Sequence, residues 1–479
     1  MASKRKTPAR GERAAAGKTG GAAAGFRLEH DSMGELSVPA AALWGAQTQR
    51  AVQNFPISGQ PMPREFIRAL ALIKAAAAQA NGGFGLLDPG AAQAIAAAAR
   101  EVADGGFDAQ FPIDVYQTGS GTSSNMNANE VIATLATRAG KHAIHPNDHV
   151  NLGQSSNDTI PTAIRVAAAL AVHESLLPAL KHLRKTIERR AKELSRTVKT
   201  GRTHLMDAMP LTFGQEFGAW AAQLDSAQQR IEDALKRLRR LPIGGTAIGT
   251  GINADPRFGK AVAKALSVAG GVRFESAADK FEGLAAQDDA VELSGQLSAL
   301  AVALTKIAND LRWMSSGPHC GLGELVMPED GLTSSIMPGK RNPTIAEAMV
   351  QAGMQVAGNH VAVTLAGASG NFELNVAKPV LIHNVLQSIR LLADSANVVA
   401  RRVIPHLQPN LAQLARNLDS PLLAATALNP VLGYDKAAAI TRHAREHGIS
   451  PREAAVQLGL LSAAEYDRLV DLARMARGG

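Results

Sequence analysis

Thirteen residues, Gly331-Leu-Thr-Ser-Ser-Ile-Met-Pro-Gly-Lys-Arg-Asn-Pro343, hold the chain's most suggestive chemistry. Ser334 and Ser335 offer hydroxyls, and Lys340 offers a positive charge six residues after the first of them. Glycine and proline at this density specify a loop. Asn342 followed by Pro343 predicts a helix N-cap with proline at the first helical position. A hydroxyl-bearing loop then runs into a helix N-terminus, whose free N–H groups and dipole favour anions. Read for function, this is a lid that carries a hydroxyl to a carboxylate. Read plainly, it is a surface turn that holds a lysine.

Three other polar stretches stand out. Thr118-Gly-Ser-Gly-Thr-Ser-Ser-Asn-Met-Asn-Ala-Asn-Glu130 is a loop opening into a helix, its short side chains suited to local hydrogen bonds. His145-Pro-Asn-Asp-His-Val-Asn-Leu-Gly-Gln-Ser-Ser-Asn-Asp158 has the same character. Gly201-Arg-Thr-His-Leu-Met-Asp-Ala-Met-Pro210 reads as a loop between helices, where a lone histidine is ordinarily just a hydrogen-bonded side chain. Gly244–Gly251 is glycine-rich but lacks the lysine of a P-loop and the preceding strand of a dinucleotide fold, so it reads as a tight connection.

The elements that must position these stretches are helical. Leu297, Leu300, Leu304, Ile307, Leu311 and Met314 recur at spacings of three and four. Ile382, Val385, Ile389, Leu392, Ala396 and Val399 do the same, as do Phe217, Trp220, Leu224, Ala227, Ile231, Ala234 and Leu238. Leu170, Leu177, Leu180, Ile187, Ala191 and Leu194 repeat the pattern with gaps, and Pro178 predicts a kink. Such stripes are core-facing seams, and four of them predict a bundle. Further helices are expected near residues 64–81 and 90–103, and short extended pieces at Leu36–Pro39 and Leu43–Gly45.

Composition sets bounds. The 479 residues are 46% hydrophobic, 19% charged and 4% aromatic, as expected of a globular, alanine-rich helical protein. No apolar run reads as long enough to cross a bilayer. The single cysteine, Cys320, excludes an internal disulfide or a cysteine metal cluster. Of the net charge of +8, residues 1–25 carry six Lys/Arg against one Glu, 6 − 1 = +5, leaving +3 for the rest. That tail is expected to be disordered. A solvated extension is preferred over a transit peptide, and nucleic-acid binding ranks last. The division follows: tail 1–25, a mixed but mostly helical domain 26–154, a central bundle 155–410 and a small helical domain 411–479.

A helix from about 159 to 195 is roughly 55 Å long at 1.5 Å per residue. The 145–158 cluster lies at its start and the 201–210 cluster beyond its end. If both serve one site, a second subunit must supply one of them, with dihedral tetramers as the expected symmetry.

Together, Thr118–Glu130, His145–Thr162, Gly201–Glu216 and Ser334–Pro343 resemble the class II fumarate hydratases of the fumarase/aspartase superfamily. The resemblance extends through Asp31-Ser-Met-Gly34, Leu43-Trp-Gly-Ala-Gln-Thr-Gln-Arg50 and Gly367-Ala-Ser-Gly-Asn-Phe-Glu-Leu-Asn375. It implies a mainly α, three-domain fumarase/aspartase-like fold whose long-helix bundle forms a tetramer core. It also implies reversible hydration of fumarate to (S)-malate, without cofactor or metal, at sites shared among subunits. By position, Ser334 would be the base for the C3 proton, and Lys340 and Asn342 would hold a carboxylate. Ser120, Thr122, Ser155, Ser156, Asn157 and Thr203 would add hydrogen bonds. His204, paired with Glu347, would handle the departing hydroxyl. His145, Asn147 and Asp148 match an accessory anion site. Placement in the tricarboxylic acid cycle and in the cytoplasm follows, or in the mitochondrial matrix if the tail is a transit peptide. Two departures are Thr333, where the family usually has glycine, and Arg341, where it usually has valine. The alternative is another lyase of the superfamily such as an aspartate ammonia-lyase, against which His204 speaks, since those enzymes usually place glutamine there.

Overall fold

The structure is a computed structural model describing residues 25–140 and 142–477. The basic tail, and with it the expectation of disorder, lies outside the described residues except for Gly25. The chain is mainly α-helical, with a few two-stranded ribbons.

The first ribbon pairs Phe26–Asp31 with Gly34–Pro39, alternating exposed and partly buried residues as period-two geometry requires. Leu43–Gly45 is a connection into the helix Ala46–Asn54, not the extended piece expected. Helices Arg64–Gly83 and Pro89–Ala103 follow. Asp88 caps the second by accepting from Gly90 and Ala91 N–H at 2.9 and 3.0 Å, with Pro89 at its first position. Small residues bring this pair close: a Cβ on Gly82 would sit 2.8 Å from that of Ala92.

Five long helices form the centre: α1 (Ser156–Glu193), α2 (Phe213–Leu238), α3 (Asp288–Met314), α4 (Thr344–Gly367) and α5 (Lys378–Arg402). Packing runs α1 on α2, α2 on α3, α3 on α4, α4 on α5 and α5 back on α1, closing a ring. The expected stripes on α2, α3 and α5 are buried at every named position. On α1, Leu170, Leu180, Ile187 and the following Leu194 are buried, while Leu177 and Ala191 are only partly so. Pro178 cannot donate a hydrogen bond and crowds the carbonyl four residues before it, and a π turn at Val172–Leu176 precedes it. Helices α1 and α3 are in fact long and apolar enough to cross a membrane, contrary to the sequence reading. Their most apolar windows are 67% and 50% buried within the protein, the mark of bundle helices.

One core runs from Leu43 to Leu414, and a separate small one, with Leu428, Ile440, Ala454 and Tyr466, holds the C-terminal helices together. Gly201–Pro210 is not an inter-helix loop: Val198–Thr203 pairs with Met206–Thr212 as a β hairpin. The polar strand hid from hydrophobic alternation because its inward residues are Lys199 and Thr200. Lys199 lies 3.0 Å from Glu216 and 3.5 Å from the fully buried Glu324, which Arg202 grips with two hydrogen bonds of 2.8 and 2.9 Å.

Candidate active site

Two of the polar stretches meet within one chain. Asn125 donates to Ser156 Oγ at 3.0 Å and to Asn151 Oδ1 at 3.2 Å, and Asn129 reaches Asn151 at 3.3 Å. These buried asparagines stitch the first turns of the helix Thr122–Ala139 to the turn that leads into α1. Ser155 caps α1 by accepting from Asn157 N–H at 3.1 Å, and Asp158 returns the bond to Ser155 N–H at 2.9 Å. The other Asp158 oxygen accepts from Gly244 and Thr246 N–H at 2.8 and 2.9 Å. The glycine-rich connection thus wraps a carboxylate of the protein itself. Burial pushes Asp158 up to about 6, against these hydrogen bonds. Beneath the turn, Lys74 is fully buried and donates to Asn151 and Gln154 at 3.0 and 2.8 Å, and burial lowers it to about 7.

On this platform Ser120 Oγ and Thr122 Oγ1 lie 2.8 Å apart, half-buried at the helix start. Gly121 adopts φ 79°, and a Cβ there would meet Ile160 at 2.8 Å. Gly119 is tighter still, since a Cβ would land on the Val376 carbonyl. Asn157 spends its amide on Ala247 O at 2.8 Å. His145 heads a π turn, Pro146–Val150, with Nδ1 accepting from Asn147 and Asp148 N–H at 3.3 and 3.1 Å. The same Nδ1 lies 3.1 Å from an Asp148 carboxylate oxygen. The side chains of His145, Asn147 and Asp148 are exposed.

The remaining candidates lie elsewhere. Thr203 and His204 are exposed at the tip of the hairpin. His204 and Leu205 both have positive φ, 55° and 62°, as in a type I′ turn, without the Asn-Gly such turns favour. That strain is characteristic of functional sites. Among the described residues, His204 forms no hydrogen bond or ion pair with Glu347, which lies in the first turn of α4. Ser334 Oγ accepts from Met337 N–H at 3.2 Å and Ile336 N–H at 3.4 Å. Lys340 and Asn342 are exposed. The predicted cap is displaced by one residue: Pro343 is the N-cap, α4 starts at Thr344, and Asn342 makes no capping bond. The loop ends are tied instead by Thr344 to Asp330 and by Arg341 to Glu329 at 2.7 Å. The Thr344 hydroxyl holds the Asp330 carboxyl below the usual carboxylate range. Thr333 does not adopt a positive φ, so glycine is not required there.

α1 separates these two groups of residues. Its 38 residues span about 57 Å from the Ser155 cap to Glu193, and the hairpin begins just beyond. Residues 34–358 match the family described as lyase, and 425–477 that described as fumarase C C-terminus. A class II fumarate hydratase of Xylella fastidiosa is 60% identical over 454 residues, covering 95% of this chain and 96% of its own. The chain belongs to the class II fumarate hydratase family. Its Chromobacterium violaceum relative is 53% identical over 450 residues, covering 93% of this chain and 98% of that one. The crystal structure of the class II fumarase from Schistosoma mansoni superposes with a TM-score of 0.91 at 37% identity, covering 94% and 99% of the two chains. The fumarase fold thus stands, mainly α as expected. Buried Glu324, Lys74 and Lys378 carried no signal in the sequence, since nothing local tells a buried charge from a solvated one.

Proposed function

We propose that this chain is a fumarate hydratase, a carbon–oxygen lyase that interconverts fumarate and (S)-malate in the tricarboxylic acid cycle. The observation that carries the mechanism is the Ser334 hydroxyl under the N–H groups of Ile336 and Met337. Serine is a weak base unless its charged forms are stabilised. N–H groups already aimed at its oxygen supply that stabilisation. The Ser334 alkoxide takes the C3 proton of malate and becomes the hydroxyl, the C–H electron pair moves into the adjacent carboxylate to form a dianion, and that pair returns to make the C2–C3 double bond as the C2–O bond breaks. Lys340 and Asn342 hold that carboxylate. His204, oriented by Glu347 from another copy of the chain, protonates the C2 hydroxyl, which leaves as water. Ser120, Thr122, Ser155, Ser156, Asn157 and Thr203 fix the substrate. His145, Asn147 and Asp148 form an accessory anion site.

The assembly is a homotetramer with composite sites. Two observations support this: the length of α1, and apolar side chains facing outward on the bundle. Met354, Val361 and Leu365 on α4 and Val302 on α3 are 59–68% exposed. Contiguous exposed apolar surface marks an interface. In this reading the reaction needs no cofactor or metal, and it runs in the cytoplasm, or in the mitochondrial matrix if the basic tail is a transit peptide. Purified protein mixed with malate should raise the absorbance of the fumarate double bond, and mixed with aspartate or argininosuccinate should not. A response to aspartate alone would move the chain to the ammonia-lyase alternative.

A further inference from the structure

Lys378 opens α5 and is fully buried. Among the described residues, its ammonium is the one lysine nitrogen that is buried without a hydrogen-bond partner. The other buried lysines are supplied: Lys74 reaches two amide oxygens, and Lys199 lies beside Glu216 and Glu324. A cation that serves only packing would be expected to have such partners, because an unpaired buried charge is strongly disfavoured. Arg165 is close enough to add repulsion. Its guanidinium is already engaged by Asp289 at 2.7 Å, by Pro161 O and by Gln287. Burial, with Arg165 adding to it, lowers Lys378 to about 7.

The position of this residue is specific. Lys378 N–H donates to Gly119 O at 3.1 Å, and the Val376 carbonyl occupies the space where Gly119 lacks a Cβ. On the other side, Gly121 rests on Ile160, the neighbour of Pro161. The loop bearing Ser120 and Thr122 is therefore clasped between the start of α5 and the first turns of α1, with the Lys378 backbone at its base.

We propose that Lys378 is a positioning residue whose charge, unpaired within the chain, is balanced by a carboxylate held on the Gly119–Thr122 loop. This rests on the reading of that loop as a substrate site. Without ligand the lysine is poorly accommodated. With a dicarboxylate bound, its charge is matched and the loop is set.

The test compares Lys378→Met, Lys378→Gln and Lys378→Arg with Thr122→Val in the full-length protein. Fumarate KM and kcat, succinate Kd by calorimetry and thermal melting are measured for each. Lys378→Met and Lys378→Gln should raise KM and succinate Kd about tenfold, as expected for one lost charged contact, with kcat within about threefold. Lys378→Arg should restore most of the affinity. A folded Lys378→Met or Lys378→Gln protein with wild-type succinate Kd overturns the proposal. So does failure of both to fold, because the charge would then be structural. If Thr122→Val raises Kd while the lysine variants do not, this inference fails and the loop assignment stands. If none of them alters Kd, the loop assignment fails as well.

Discussion

At Ser334 the backbone does what the side chain alone cannot. Two N–H groups converge on one hydroxyl within an exposed loop that is not part of the core. Replacing Ser334 by alanine should therefore lower kcat by about 10² or more while leaving thermal stability unchanged. Wild-type turnover in that variant would take the serine out of the mechanism. Lys340 has no partner among the described residues to lose, so Lys340→Met should raise KM without disturbing the fold. Titrating initial rates against fumarate would show it, and an unchanged KM would leave the lysine a bystander. Arg341 differs from both, since its guanidinium goes to Glu329. With both side chains about two-thirds exposed, that pair is screened and contributes little to stability. The two departures from the family pattern thus resolve locally. Thr333 has ordinary backbone geometry, and Arg341 is turned to its neighbour.

At the scale of elements, what could be read in the chain follows burial chemistry. The bundle was legible because Leu297 to Met314 and Ile382 to Val399 repeat at helical spacing and face one core. The hairpin was not, because the inward side of Val198–Thr203 is polar and its order comes from Glu216 and Glu324, distant in sequence. Its turn was hidden too, since His204 and Leu205 are not turn formers by composition. The same limit applied to Asn125, Asn127 and Asn129. They stood in a stretch that read as a polar loop opening into a helix, and they tie helices and turns together, with Asn127 donating to Gln110 O at 2.9 Å. Glu130, at the end of that stretch, closes the N-terminus of Ala46–Asn54 through Gly45, Gln47 and Thr48 N–H. Asn125→Ala should cost about 1–3 kcal/mol of stability, the usual penalty for a broken buried hydrogen bond. It should also lower kcat/KM, because Ser156 loses its anchor. Thermal melting paired with the hydration assay would separate the two effects, and loss of neither would mean the stitch is idle.

For the whole molecule the controlling feature is the length of α1. It keeps Ser155–Asn157 about 57 Å from the hairpin side, so a site that used both His204 and Ser156 would draw on two copies of the chain. Two crippled variants drawn from opposite ends of α1, Ser156→Ala and His204→Asn, should then regain activity when unfolded and refolded together. Failure of every mixture to rise above the parents would return the site to one chain. Deleting residues 1–25 should leave hydration intact, which would dispose of the nucleic-acid reading. The long helix also has a genetic corollary. In a cell producing sound and damaged chains together, with pockets shared between copies as proposed, a lesion in His204 alone would silence pockets in proportion to its share of the pool. A chain carrying both lesions strikes a pocket from two directions. The surviving fraction then falls as the square of the healthy share, so the doubly damaged allele interferes with its sound counterpart more than either injury alone.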